Sequence, residues 1–114
     1  MDTQTWQPLV AVEGLPLLGG EGRFRQVERA ESGLAYLIHY PAGVASPTHR
    51  HDHDSIVYLL SGRLRGAVDG VEAELSPGDS ILHPKDTPHH VEALEDSVWL
   101  EFKSPLPGRP PLGS

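Results

Sequence analysis

The chain contains no cysteine. That removes disulfide staples and thiolate chemistry, catalytic or metal-binding, and it fits a reducing compartment, so a cytoplasmic location is expected. No block of basic residues is present either: Lys+Arg number 9 against 16 Asp+Glu, a formal charge of −7. Binding to a phosphate backbone depends on clustered cations, so neither nucleic acid nor an anionic membrane is an expected partner. No apolar run approaches the roughly 18 residues of a membrane span; Ile56–Leu60 covers five. The opening residues Met1–Trp6 lack the basic and apolar blocks of a signal peptide. There is no phosphate-cradling glycine loop with its lysine and no G-x-S-x-G nucleophile elbow.

What the chain has in quantity is turn formers. Its 12 glycines and 11 prolines are dispersed through 114 residues, which suits a single domain of many short elements. At this length folding buries roughly 60–70% of the surface, enough for a core without staples. Residues 1–22, punctuated by Pro8, Gly14, Pro16, Gly19, Gly20 and Gly22, read as a loose arm with one short strand at Leu9–Val12. In residues 23–32, Phe24, Val27 and Ala30 have helical spacing, but the segment is short and lies among turns, so a strand is expected. Leu34–Tyr40 is almost wholly apolar, as a strand covered on both faces would be. Ile56–Leu60 is β-branched and aromatic and stops at Ser61-Gly62. Leu64, Gly66 and Val68 alternate with Arg63, Arg65 and Ala67 up to Asp69-Gly70, the dipeptide of a type I′ hairpin. Beyond it Val71, Ala73 and Leu75 alternate with Glu72 and Glu74.

Ser76-Pro77-Gly78-Asp79 fits a type II turn. Ser80–His83, His89–Leu94 and Ser97–Lys103 complete the strands. In the last of these Val98, Leu100 and Phe102 are assigned to one face, with Glu101 and Lys103 opposite. Val91, Leu94 and Val98 also allow a helix over 91–98, the weaker alternative. Pro105, Pro107, Pro110 and Pro111 make residues 104–114 an extended tail. The expected fold is therefore all-β: an antiparallel sandwich or barrel over residues 23–103, between the arm and the tail.

Residues 43–62 place histidines at alternate positions, His49, His51 and His53, directly ahead of Ile56–Leu60. Alternate residues of an extended strand share a face, with Cα atoms about 6.5–7 Å apart. Two imidazoles on that face can reach one metal ion at about 2.0–2.1 Å each.

The pattern Gly43-x5-His49-x-His51-x3-Ser55-x6-Gly62 resembles the first signature of the cupins, G-x5-H-x-H-x3-4-E-x6-G. The run Leu75-Ser76-Pro77-Gly78-Asp79-Ser80-Ile81-Leu82-His83-Pro84-Lys85-Asp86-Thr87-Pro88-His89 resembles the second, and His89 falls on its ligand position. Both motifs occur in order over residues 43–89, with the Leu64–Leu75 hairpin between them. The resemblance implies a small antiparallel jelly-roll barrel with a metal or ligand at its mouth. It also implies pairing as a homodimer, for which exposed edge strands give a physical reason.

One position departs from the family. Ser55 stands where cupins carry the glutamate that supplies the fourth protein ligand. The nearest carboxylate, Asp54, would point away from the site on a regular strand. Three arrangements are open: a turn or bulge at 52–54 swings Asp54 in, His53 fills the gap, or three histidines remain with open water positions.

The assigned metal ligands are thus His49, His51 and His89. His53 otherwise reads as a solvent-facing turn residue, and Asp52 or Asp54 as a carboxylate bonded to a ligating imidazole. His83 either lines the cavity or fills space. His90 alternates outward, His39 reads as a hydrogen-bonded histidine of its strand, and Glu72 and Glu74 form a solvated face. Glu92, Glu95 and Glu101 receive no role. Parity gives cavity walls of Val57, Leu59, Leu64, Val68 and Leu100. Three neutral imidazoles suit a divalent transition metal, Fe²⁺, Zn²⁺, Ni²⁺, Cu²⁺ or Mn²⁺. Open coordination positions would polarise a bound substrate or lower the pKa of a water. A small barrel admits a small-molecule ligand only.

Two readings of different class follow. The first is a metal-dependent enzyme acting on a small organic molecule, an oxygenase, isomerase or lyase; the histidine set motivates it. The second is a non-catalytic cupin module that binds a small ligand or metal as a sensor or accessory protein; the missing glutamate and the lack of an acid–base partner motivate that. The fold hosts both.

Overall fold

The structure, a computed structural model, describes residues 5–108; residues 109–114, the end of the proline-rich tail, lie outside the described residues. Eleven strands follow in chain order: β1 (Gln7–Leu9), β2 (Ala11–Val12), β3 (Leu15–Pro16), β4 (Gly22–Arg29), β5 (Leu34–Tyr40), β6 (Asp54–Ser61), β7 (Leu64–Val68), β8 (Val71–Leu75), β9 (Ser80–His83), β10 (His89–Ala93) and β11 (Ser97–Ser104). No helix occurs among the described residues, so none is long and apolar enough to cross a membrane; residues 91–98 belong to β10, a turn and β11.

The strands form a six-stranded sheet, β1-β4-β5-β11-β6-β9, and a three-stranded sheet, β10-β7-β8, with β2-β3 as a separate hairpin. All pairings are antiparallel. The core between the sheets includes Tyr36, Ile38, Tyr40, Val57, Leu59, Leu64, Leu75 and Trp99. Tyr40 meets Trp99 edge-on, with centroids 4.7 Å apart. The β7–β8 hairpin has Asp69 at φ 51° and Gly70 at φ 79°, the pair of positive values a type I′ turn needs. At the next turn Gly78 sits at φ 95° and Asp79 N–H bonds Ser76 carbonyl at 2.9 Å.

One crossing of the chain positions the site. After β5, the turn at Pro41–Gly43 carries the chain out of the large sheet. Residues 44–49 then run against β10: Ser46 N–H bonds Val91 carbonyl at 2.8 Å, and His49 and His89 exchange two backbone bonds of 3.0 Å. From Asp54 the chain returns to the large sheet as β6. The alternate histidines therefore lie along the passage from one sheet to the other.

Three expectations are revised. Of the stretch 1–22, read as a loose arm, the described residues 5–22 form three short strands, and Leu9 and Val12 join the core; the turn formers between β2 and β3 mark a tight hairpin. On β5, Leu34, Tyr36, Ile38 and Tyr40 are buried, whereas Ala35, Leu37 and His39 are half-buried, so only one face is fully covered. On β11 the parity is inverted: Ser97, Trp99, Glu101 and Lys103 point inward and Phe102 is exposed. Trp99 decides this orientation, because its burial outweighs that of the smaller apolar residues on the opposite face, and the two inward charges then pair with each other.

Candidate metal centre

The three sequence-assigned ligands converge. His49, His51 and His89 are buried, and each presents a ring nitrogen within 4.8 Å of the others. Local structure fixes the tautomers. The Nδ1–H groups of His49 and His89 donate to the carbonyls of Pro47 (2.6 Å) and Thr87 (3.0 Å), and carbonyls can only accept. The Nδ1–H of His51 donates to a Glu13 carboxylate oxygen at 2.7 Å. In each ring Nε2 is left as the lone-pair donor, the arrangement that orients and strengthens an imidazole ligand.

Burial sets their charge state. Desolvation pushes all these imidazoles below the ordinary histidine range, and the Lys103 ammonium adds to the effect at His49 and His51. His89 falls to about 3, from burial first and then from His83 and His49. His83, buried and stacked on His89 with centroids 4.0 Å apart, falls to about 4, chiefly from burial. Neutral nitrogens held in one place fit a borderline divalent transition ion, and the donor chemistry passes that test.

His53 is a correction. It is fully buried, because inward alternation continues without a break through His49, His51, His53, Ser55, Val57 and Leu59. Its ring stacks on His51 at 4.6 Å, and its Nδ1–H donates to Asp52 at 2.8 Å. Asp54 is exposed, and its carboxylate accepts the Lys85 N–H at 2.8 Å; the structure does not bring it to the three histidines. His90 is half-buried, and His39 accepts a bond from Arg23 at 3.3 Å.

Ser55, at the family's glutamate position, is fully buried and accepts a hydrogen bond from Lys103 Nζ at 2.9 Å. The same ammonium contacts Glu101 at 2.6 Å, and Trp99 Nε1–H donates to Glu101 at 3.0 Å. Burial alone would raise the Glu101 pKa, but Lys103 and the other donors hold it well below the usual carboxylate range. Glu101 therefore stays ionised on the wall of the cavity that His49, His51, His83 and His89 also line, a space of about 20 Å³, room for roughly one water molecule.

Of the walls assigned by parity, Val57 and Leu64 line an adjoining cavity that shares His83. Leu59 is in the core, and Val68 and Leu100 are half-buried. Glu13, Glu101 and Lys103 are the polar groups that sequence reasoning missed. Glu101 and Lys103 were assigned outward with their strand, and nothing local to Glu13-Gly14 links it to His51.

An antiparallel double-sheet barrel with buried imidazoles converging at its mouth is the architecture of a metal-binding cupin. The cupin domain family model matches residues 36–102, more than half of the chain, and the chain belongs to that family. It is 34% identical over 80 residues to dimethylsulfoniopropionate lyase DddQ of Ruegeria pomeroyi, covering 69% of this chain and 38% of that protein. The chain spans less than half the length of the curated relatives it matches. Among solved structures, KdgF from a Halomonas species superposes with a TM-score of 0.71 at 30% identity, over 74% of this chain and 78% of that one. An RmlC-like cupin from Shewanella frigidimarina gives 0.72 at 25% identity, over 77% and 79%.

The buried imidazoles predict a specific acid sensitivity. Their folded pKa values lie below the unfolded value of 6.5, so the unfolded chain takes up protons first as the pH falls. Their contribution to stability is complete above about 6.5 and is lost toward the folded values of about 4 for His83 and about 3 for His89. Thermal melts of protein treated with chelator should give a level midpoint at neutral pH and a steady decline below about 6.5. A midpoint constant down to pH ~4.5 would contradict neutral burial of these rings.

Proposed function

We propose that the protein is a metal-dependent enzyme of lyase or isomerase type acting on a small organic molecule, with His49, His51 and His89 holding a divalent transition ion and Glu101 presenting a fixed negative charge to the ion and its ligand. One observation carries this reading: a buried, ionised carboxylate and the three-histidine cluster face the same cavity. The ion, when bound, would polarise an oxygen of the ligand and acidify neighbouring C–H or O–H groups. Lys103 and Trp99 hold the Glu101 carboxylate in one orientation and keep it ionised, so it would stabilise positive charge developing in the cavity without first having to be positioned. The cavity is small, about 20 Å³, so a ligand would enter it only by its reacting end. The match to a protein named as a lyase supports the choice of lyase chemistry.

The proposal also includes a homodimer. The outer face of β6, β9 and β11 carries Ile56, Tyr58, Leu60, Leu82 and Phe102, each between 42% and 49% exposed. Ile56 pairs across strands with both Leu82 and Phe102, so the patch is contiguous, the kind of surface another protein surface covers. Sedimentation velocity should show a dimer that Tyr58→Glu/Phe102→Glu converts to monomer; a monomeric unmodified protein would dispose of the pairing.

For the chemistry, metal-loaded protein is incubated with a panel of small carboxylates that includes dimethylsulfoniopropionate, and products are followed by NMR. Turnover of at least one compound is expected, with Glu101→Gln slower by about 10²–10³-fold at unchanged metal content. Because that change strands the Lys103 charge, Glu101→Gln/Lys103→Met serves as a second, charge-balanced variant. Binding without turnover would favour the sensor or accessory reading, and full activity in both variants would remove Glu101 from the mechanism.

A further inference from the structure

We propose that His83 is a ligand-binding residue, and that the molecule bound at this centre carries a short apolar group past it into a second cavity. The inference rests on the metal-site reading above and deepens it. The substrate class it names is a small molecule with an oxygen-donor head and a short alkyl arm.

Two cavities adjoin inside the barrel. The first is the metal cavity, lined by His49, His51 and His89. The second, also about 20 Å³, lies between the two sheets, with Val57, Leu64, Leu75 and Ile81 in its walls. His83 and Val91 line both, so these two side chains form the partition. The second wall also includes Arg65, which is ion-paired with Glu92 at 3.1 Å, and the half-buried His90. Apart from His83, its remaining side chains are apolar. Such a space takes an apolar group of methyl or ethyl size more readily than a water, which needs several polar partners.

His83 is only 3% exposed, yet no residue of the described chain hydrogen-bonds its ring. Every other polar side chain of the metal cavity has such a bond. Nδ1 of His49, His51 and His89 is tied to an oxygen. Tyr40 bonds Ser46, and Ser46 accepts the Val91 N–H at 3.0 Å. Trp99 donates to Glu101. Folded proteins rarely leave a buried polar group without a partner. The nitrogens of His83 are not sealed in, since His53 Nε2 is the one enclosed unpartnered atom among the described residues. They open onto free space, and in either protonation state the ring offers an N–H donor.

The fold holds this ring ready. His83 ends β9, opposite Ser55 of β6, and Pro84 follows it. The ring stacks on His89 with 14° between planes and centroids 4.0 Å apart, which fixes its plane and leaves its edge free. It stands outside the group of three converging nitrogens, so its role is toward the bound molecule. A ligand whose oxygen meets the ion and whose arm enters the second cavity passes that edge. A site of few convergent polar groups with one apolar recess selects by the size of the arm.

The test loads the full chain with Zn²⁺ and uses formo-, aceto-, propiono- and hexanohydroxamate, chelators that differ in the alkyl arm alone. By calorimetry, affinity is expected to rise about three- to fourfold per carbon up to propionohydroxamate and to fall for hexanohydroxamate. NMR of the unmodified protein should show contacts from the propionohydroxamate methyl to the methyls of Ile81 and Leu75, and a shift of the His83 ring ¹⁵N signals. His83→Leu should weaken acetohydroxamate about three- to tenfold at unchanged zinc content, and His83→Gln, which keeps a donor and an acceptor, should recover part of the loss. A histidine that only fills space would lose nothing on replacement by leucine. Unchanged affinity in His83→Leu overturns the proposal. So does an affinity indifferent to arm length, or the absence of those NMR contacts, which are read without any variant. Zinc retained with no hydroxamate bound also overturns it and leaves the His49/His51/His89 reading intact; failure to retain zinc overturns both.

Discussion

The reciprocal backbone bonds between His49 and His89, 3.0 Å in each direction, are the constraint on which the site depends. They form a closely spaced hydrogen-bonded pair of an antiparallel ladder, and they bring together two histidines far apart in the chain, with ring centroids 4.3 Å apart. The pairing exists because residues 44–49 leave the large sheet and run along β10. The chain then crosses back to become β6, with His51 and His53 buried along the crossing. The metal centre is therefore a property of the crossover between two sheets. Glu13, from the turn between β2 and β3, reaches the same place and fixes the His51 ring. Segments from the start, middle and later part of the chain thus set the orientation of a few rings.

The interior balances its charges unusually for so small a barrel. Five histidines sit close together, and burial keeps each below its ordinary pKa. Among them Glu101 and Lys103 form a buried ion pair, in contact with each other, and the Glu13 carboxylate reaches His51. A buried pair of this kind contributes little net stability, since desolvation offsets attraction, but removing one partner is costly. Its consequence is functional: a fixed negative group stands in a cavity lined by neutral nitrogen donors. Lys103 also occupies the space beside Ser55, where the resemblance led one to expect a ligating glutamate. The departure from the family pattern at residue 55 is thus accompanied by a buried lysine of the neighbouring strand that contacts it.

Much of this was legible before the structure. Alternation, the Asp69-Gly70 hairpin and the Pro77-Gly78 turn gave β7, β8 and β9, and the two histidine motifs led to the three residues that converge. The misreadings share a cause. Parity assignment puts apolar residues inside and charges outside, and β11 reverses it because Trp99 must be buried and Glu101 and Lys103 satisfy each other. His53 lies in the bend before β6, as the sequence suggests, but it faces inward rather than solvent, because the inward alternation runs on from His49. The contacts Glu13–His51 and Lys103–Ser55 are long-range pairings between polar residues, and no local pattern encodes them. The prolines and glycines of the first residues suggested looseness, but there they close short hairpins onto the core.

The central claim is that His49, His51 and His89 together hold a divalent transition metal. The most direct measurement is elemental analysis of untagged protein, as purified and after loading and desalting, for the unmodified chain and for His49→Ala/His89→Ala. The account predicts close to one transition-metal ion per chain in the former and almost none in the latter. Equal metal content in the two proteins, or failure of the unmodified chain to retain any transition metal after loading, would contradict it.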